Sequence, residues 1–390
     1  MKLSTRLAQR GRGPGTRPGT VNLPVARAST VTFATLAEME SVEGRFEADE
    51  VVPTYAIVNM PLRAAFEELM VEIEGGHRAA TFPTGLAAVA GAIMAAVKAG
   101  DHILVTDSCY GPARRFCDRT LARAGVETTY YDPTIGAGIA DLMNPNTRAV
   151  YLENPGSITF EVQDFPAIAK AARARGAAVI HDNTWATGVF FRSFDHGADL
   201  VIQAATKYPA GHSDLLIGAV VANEAWWPRL RDTSRDLGQT ASPDDIFLAL
   251  RGIRTLDARL KRHQQSALQI AGWLKTHPAV KRVLHPALPD DPGHALWKRD
   301  FLGSTGLFGV ELADASREQV ARLIDGLECF ALGYSWGGYE SLIVPGNLGP
   351  YGRTVRPWSG GELIRLQIGL EDPADLFADL VRGFERMKGA

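Results

Sequence analysis

At about 150 residues per globular unit, a chain of 390 residues has room for two or three units and excludes a single small module. With 46% hydrophobic and 22% charged residues it is a folding chain, and 41 basic against 44 acidic side chains leave a net charge of -3 that offers a polyanion such as nucleic acid nothing to hold. Cys109, Cys117 and Cys329 are too few for a disulfide framework and lack zinc-site spacing, so no metal is expected and a reducing, cytoplasmic setting is.

In chain order, the start carries Lys2, Arg6, Arg10, Arg12 and Arg17 with no acid and no apolar segment, which predicts a solvated arm rather than a secretory signal. Residues 1–57 hold too little periodic apolar pattern for a core of their own and are expected to pack on something larger, such as a neighbouring subunit. The richest apolar run, 86–97, is Ala-rich and falls short of the roughly 18 residues a membrane span needs. From Thr81 onward, short β-branched runs at 102–106, 127–131, 149–152, 178–181, 200–203 and 216–221 alternate with helical stretches at 86–98, 113–124, 165–175 and 224–237. That alternation predicts an α/β unit with a mostly parallel sheet and crossover helices. Beyond Asp244 the character changes: a long helical stretch through Leu274, strands at 306–311 and 364–369, and helices at 317–324 and 373–387 suggest a smaller α+β unit. The expected division is an arm of 1–57, a large domain of 58–250 and a C-terminal domain of 251–390.

Four features carry chemistry. Lys207 follows an apolar strand and enters the small-residue loop Gly211-His212-Ser213-Asp214; apolar surroundings lower an amine's pKa, which makes Lys207 a Schiff-base candidate. Asp182, in Val179-Ile180-His181-Asp182-Asn183, puts a carboxylate at a strand's carboxyl end, where ligands gather in open α/β sheets. Pyridoxal phosphate needs both, a lysine for its aldehyde and an acid facing its ring nitrogen. Gly85 and Leu86, in a turn that opens the Ala-rich helix, offer free amides to an anion, with the Thr206 hydroxyl beside them. Tyr110, just past the strand at 102–106, has a flat ring that could stack on the cofactor.

Together with Glu153-Asn154-Pro155-Gly156-Ser157, Tyr334-Ser335-Trp336-Gly337-Gly338-Tyr339-Glu340-Ser341 and Leu363-Ile364-Arg365-Leu366-Gln367-Ile368-Gly369, these segments resemble the Cys/Met-metabolism family of pyridoxal-phosphate enzymes, and within it the cystathionine β-lyases. The likeness runs from Val21 to about Phe384. It implies the fold type I architecture of aspartate aminotransferase. It also implies Lys207 and Tyr110 as catalytic groups, Asp182 on the ring nitrogen, and Gly85, Leu86 and Thr206 on the phosphate. Arg365 would hold the substrate α-carboxylate, which suits a bidentate guanidinium, beside Ser335 and Trp336. The implied reaction is β-elimination from cystathionine or a related cysteine thioether, giving a thiol, pyruvate and ammonia. The implied assembly is a homotetramer of dimers in which the N-terminal segment, with Tyr55, reaches a neighbour's site.

Four positions depart from that pattern. Relatives carry Tyr-x-Arg where this chain has Tyr55-Ala56-Ile57, so a phosphate-binding guanidinium is absent, and Arg63 and Arg114 are candidate replacements. Arg115 stands where β-lyases often have an acid, and Arg235 where an aromatic is expected. With Val58 also replacing a basic residue, the charge pattern at the distal end of the substrate is rewritten, which marks Arg115 as a substrate-binding candidate and points to another β-thioether or an anionic leaving group. Another reaction of the family, γ-lyase, γ-synthase or sulfhydrylase, and a catalytically decayed regulatory protein on the same fold stay open as alternatives.

Overall fold

A computed structural model of the chain describes residues 1–11, 20–346 and 352–389; Arg12 and Arg17 of the basic start lie outside them. Two sheets organise the molecule. The larger contains β1 (Arg78–Phe82), β2 (His102–Thr106), β3 (Glu127–Tyr131), β4 (Thr147–Glu153), β5 (Ala178–Asp182), β6 (Leu200–Gln203) and β7 (Gly218–Ala222), in the order β1-β7-β6-β5-β4-β2-β3. From β3 to β6 every pairing is parallel, and β7 runs antiparallel to both β6 and β1.

The inner strands β2, β6 and β7 are buried throughout and read as largely apolar runs because both faces are covered, whereas the edge strand β3 leaves Glu127 exposed. Leu104, Val150, Leu152, Val179 and Val201 face a core shared with Phe66, Leu69, Phe165 and Ile168. The alternate residues Ile103, Val105, Ala149, Tyr151, Ile180 and Ile202 face Val89, Ala92, Ile93, Cys117 and Leu121. The helix Gly85–Ala96 is built of small residues because it lies flat on the sheet: a Cβ on Gly91 would sit 2.3 Å from the Phe82 ring.

The smaller sheet comprises β8 (Val280–Leu284), β9 (Leu307–Leu312), β10 (Ala331–Leu332), β11 (Leu342–Pro345) and β12 (Leu363–Gln367), ordered β10-β11-β12-β9-β8 and antiparallel except for β10 with β11. Helices Arg317–Ile324 and Pro373–Met387 cover it through Val320, Leu323, Leu376, Leu380 and Phe384. The helix Leu256–Leu274 joins the two parts: Leu256 and Leu260 belong to the large sheet's core, Ala267, Ile270 and Leu274 to the small sheet's.

Two helical expectations change. The stretch expected as one helix from Asp244 to Leu274 is two, Pro243–Ile253 and Leu256–Leu274. They meet at Arg254–Thr255, where Thr255 leaves helical geometry at φ -107° and the Gly252 carbonyl accepts from Arg259 Nη2 at 2.8 Å; glycine at 252 lets the first helix approach the Ala210 carbonyl, from which a Cβ would lie 2.0 Å. The helix expected over 113–124 is a short α segment, Gly111–Arg115, followed by a wider π-helical stretch, Phe116–Leu121.

Within the N-terminal segment, Leu3–Gln9 is helical and lies on the helix Pro61–Glu74, with Leu7 buried and Arg6 3.0 Å from Glu72. The helix Leu36–Glu47 buries no side chain. Asp49 fastens it, accepting from Trp227 Nε1 at 2.6 Å and pairing with Arg78 at 3.0 Å. Among the described residues, no helix is long and apolar enough to cross a membrane.

Candidate active site

The parallel strands place their carboxyl ends on one side, so the turns after β2, β4, β5 and β6 meet there, as open α/β sheets require of a ligand crevice. Facing them across the gap are the 334–336 segment and β12 of the smaller sheet. The cavity between them is about 1120 Å³ and open to solvent, and Gly85, Leu86, Tyr110, Asp182, Thr206, Lys207, Ser335, Trp336 and Arg365 all line it.

Lys207 caps a tight turn after β6 in which its N–H donates to Ala204 O at 2.9 Å. Its Nζ donates to Ser335 Oγ at 2.6 Å and lies 5.3 Å from the Trp336 ring centroid. Burial, reinforced by the Arg365 charge and opposed by Asp182, lowers the amine to about 8. The opposing segment approaches so closely that a Cβ on Gly337, at φ 87°, would fall 3.1 Å from Lys207 Cα. Ser335 itself sits at φ 76°, a left-handed conformation that costs a non-glycine residue free energy and is found where a site dictates geometry.

Asp182 ends β5. Its Oδ1 accepts the Thr184 hydroxyl at 2.5 Å and the Thr184 amide at 3.1 Å, and Tyr151 OH donates to Oδ2 at 3.3 Å. Burial outweighs these donors, so the carboxyl is raised, with Lys207 the cation that counters the rise.

The N-terminus of the helix Gly85–Ala96 opens into the same cavity. Thr84 caps it by accepting the Ala87 amide at 3.0 Å, which leaves the Gly85 and Leu86 amides without a carbonyl one turn earlier to bond. A Cβ on Gly85 would lie 2.5 Å from Ala204 Cβ, so glycine is what lets this turn approach the lysine loop. The Thr206 hydroxyl bridges the Ile217 amide and carbonyl, at 2.9 and 3.1 Å, so its one proton is engaged within the protein.

Tyr110 leaves the turn after β2 with its ring half-exposed and its N–H donating to Glu153 Oε2 at 2.6 Å. Burial first, then Glu153 and Asp182, raises the phenol. Arg365, on β12, donates Nη2 to Ser335 O at 2.9 Å and is lowered to about 10 by burial.

Two candidates lie elsewhere. Tyr55 is exposed in the N-terminal segment, and Arg115 is exposed one turn beyond Tyr110; neither lines the cavity, although the Arg115 charge reaches the Tyr110 phenol. The candidate replacements for the absent phosphate guanidinium are both engaged and do not fit that role. Arg63 is buried on Glu67 at 2.8 Å and on the Ile57 and Gln239 carbonyls. Arg114 is buried on Asp107 at 2.5 Å under the Tyr130 ring. Arg235 packs its guanidinium over Phe46, 4.4 Å from the centroid, and so joins the arm to the large domain instead of facing the cavity.

Sequence reasoning passed over several groups here. Glu153 lines the cavity, and burial followed by Asp182 lifts its carboxyl well above the usual range. Asp107 accepts the amides of Thr354, Val355 and Arg356 at 3.0, 3.0 and 2.8 Å, while Arg353 pairs with Glu161 at 2.6 Å, so residues 352–356 are tied beside the cavity. The available signal was position: Asp107 and Glu153, like Asp182, stand at the carboxyl ends of parallel strands.

An anion seat at a helix N-terminus, a poorly hydrated amine and a buried acid with no directly bonded cation meet in one cavity, with an aromatic ring beside them. The donor set fits a flat, phosphorylated heterocyclic aldehyde with a protonated ring nitrogen. The sequence profile of the Cys/Met metabolism PLP-dependent enzymes matches residues 4–385. Cystathionine beta-lyase of Salmonella typhimurium is 44% identical over 393 residues, covering 99% of each chain, and cystathionine beta-lyase MetC of Escherichia coli is 44% identical over 394 residues, again covering 99% of each. A solved structure of cystathionine gamma synthase from Xanthomonas oryzae pv. oryzae, in complex with aminoacrylate and cysteine, superposes with a TM-score of 0.90 at 31% identity, covering 100% of this chain and 99% of that one.

Proposed function

The chain belongs to the Cys/Met metabolism PLP-dependent enzymes, and from that premise we propose that it is a carbon–sulfur β-lyase of the cystathionine β-lyase type. It takes a cysteine thioether, cystathionine or a relative of it, and releases a thiol, pyruvate and ammonia. The observation that carries the reading is the Lys207 amine, lowered to about 8, in one cavity with Asp182 and Arg365.

When bound, pyridoxal phosphate supplies an aldehyde that condenses with amines and a pyridinium ring that accepts electrons from a bond breaking at Cα. Lys207 would hold the aldehyde, the Gly85 and Leu86 amides the phosphate, Asp182 the ring N–H, and Tyr110 the ring face. Arg365 binds the substrate carboxylate; its Nη2 contact to Ser335 O fixes the fork, so that the α-carbon faces Lys207. As a free amine, Lys207 Nζ would take the α-proton as general base, with its 2.6 Å bond to Ser335 Oγ orienting it. Near pH 8 about half of such an amine is already neutral, where an ordinary lysine is almost wholly charged. The buried Asp182 gains most by facing a cationic N–H, because desolvation penalises its charge until an opposite charge arrives.

Tyr55 of a neighbouring copy completes the site in this reading, within a homotetramer built from dimers; the exposed helix Leu36–Glu47 and the exposed Tyr55 support it. Thr206 joins the phosphate shell only if its hydroxyl turns away from Ile217. The division into arm, large domain and C-terminal domain at residues 57 and about 250 and a cytoplasmic location belong to the same proposal. Product analysis tests it: incubation with cystathionine yields pyruvate for β-elimination, and 2-oxobutyrate in its place would assign γ-elimination.

A further inference from the structure

Beneath the crevice, Glu74 ends the helix Pro61–Glu74 and is fully buried. Its Oε1 accepts the Gly188 amide at 2.9 Å and Gln203 Nε2 at 2.7 Å, and its Oε2 accepts Asn183 Nδ2 at 2.7 Å. All three donors are neutral. The charged group whose field reaches Glu74 is Arg192, from the segment after β5, which pairs with Asp195 at 3.8 Å.

The three partners sit at meaningful places. Asn183 directly follows Asp182, Gln203 closes β6 just before the Lys207 turn, and Gly188 lies in the first turn of the short helix Thr187–Phe190 beyond Asp182, so close that a Cβ on it would lie 1.9 Å from the Ile73 carbonyl oxygen. A second observation stands beside it: Asn183 Oδ1 and Gln203 Oε1 are buried without a partner, while both amide nitrogens turn to Glu74. The same nitrogens reach the Phe191 and Asn183 carbonyls at 3.0 and 3.4 Å, so the carboxylate and these backbone acceptors together offset the two unsatisfied oxygens.

We propose that the ionised Glu74 is a positioning residue, which draws the carboxyl ends of β5 and β6 together from below and so sets the reach between Asp182 and Lys207. The inference rests on the reading that those two residues hold the cofactor. Burial raises the Glu74 carboxyl to about 7, so the anchor is complete in mildly alkaline solution and is lost when the proton returns.

The test compares pyridoxal-phosphate affinity of the full-length protein, resolved and reconstituted, at about pH 6 and about pH 8.5. Lys207 and Asp182 titrate in every variant, so only differences between variants are read. Glu74→Gln copies the protonated carboxyl: it should bind the cofactor about tenfold more weakly than the native chain at the higher pH, the loss of one charge-assisted contact, and equally at the lower. Asn183→Asp sets a second carboxylate 2.7 Å from the first, and should carry the native loss of affinity to higher pH. Thermal melting at the higher pH separates positioning from support: Glu74→Gln should melt at or above the native temperature. Parallel pH profiles for native and Glu74→Gln protein, or a lower melting point with affinity lost equally at both pH values, would overturn the proposal. Borohydride labelling of Lys207→Ala is the separate control; persistent labelling would remove the cofactor reading itself, whatever Glu74 does.

Discussion

The inner wall of the crevice and its outer approach are built on opposite principles. On the inner wall Lys207, Asp182, Glu153 and, one layer below, Glu74 are all shifted first by burial: the amine falls to about 8, and the carboxyls rise. Their partners are mostly neutral hydroxyls and amides from the same chain. On the outer approach Arg115 and Tyr55 stand in solvent, where water and salt weaken any single charge. In the proposed function the inner wall would set reactivity and the outer approach would choose among substrates. The four departures from the family pattern, at residues 57, 58, 115 and 235, all avoid the inner wall.

The largest effects are expected where burial is deepest. On the proposed reading Lys207→Ala would remove both the attachment point and the general base, and turnover should fall about 10⁴-fold or more, with no borohydride-stable label. Substantial turnover by this variant would end the comparison at once. Asp182→Asn keeps shape and removes charge; a loss of about 10²–10³ in kcat is expected, with the melting temperature held or raised because a desolvated carboxylate has gone. The native amine also predicts a pH signature: capture of pyridoxal phosphate by the resolved protein should quicken with pH up to about 8 and then level, whereas an ordinary lysine would keep quickening toward 10.5.

Glu74 sharpens the contrast through stability. Its folded carboxyl titrates near 7 against an ordinary 4.5, so between those values the folded state keeps a proton that the unfolded chain has lost. Stability therefore falls as pH rises through that window, by up to about 3 kcal/mol, and Glu74→Gln should flatten the decline in denaturant titrations.

Legibility in the sequence follows the same division. Strands at 102–106 and 200–203 could be read to the residue, because a doubly covered strand must be a short apolar run between turns, while the edge strand 127–131 was legible from its Thr and Tyr residues. β1, with the sequence Arg-Ala-Ala-Thr-Phe, carries no such signal; its pairing with β7 is a distant contact that no local pattern encodes. The break at 254–255 has no glycine or proline at the break itself, so no local signal separates the two helices. At the site, Lys207, Asp182 and Gly85 were visible because each sits at a strand end or helix start with characteristic neighbours. Glu74 was not, since its role exists only once residues more than 100 positions away in the chain fold onto it.

Smaller effects test the approach. Arg365→Lys keeps the charge but loses the planar fork, and should raise KM about 10- to 100-fold with a lesser change in kcat. Arg115→Ala should be the mildest variant. An exposed guanidinium near the Tyr110 phenol acts through a screened field, so about a two- to fivefold loss in kcat/KM is expected, confined to thioethers with an anionic distal group and fading as salt is added. Cystathionine and an uncharged S-alkyl cysteine, assayed side by side at low and high ionic strength, give the readout. Equal losses on both substrates would move Arg115 from substrate choice to the chemistry of the inner wall, and the boundary between the two regions would have to be redrawn through Tyr110.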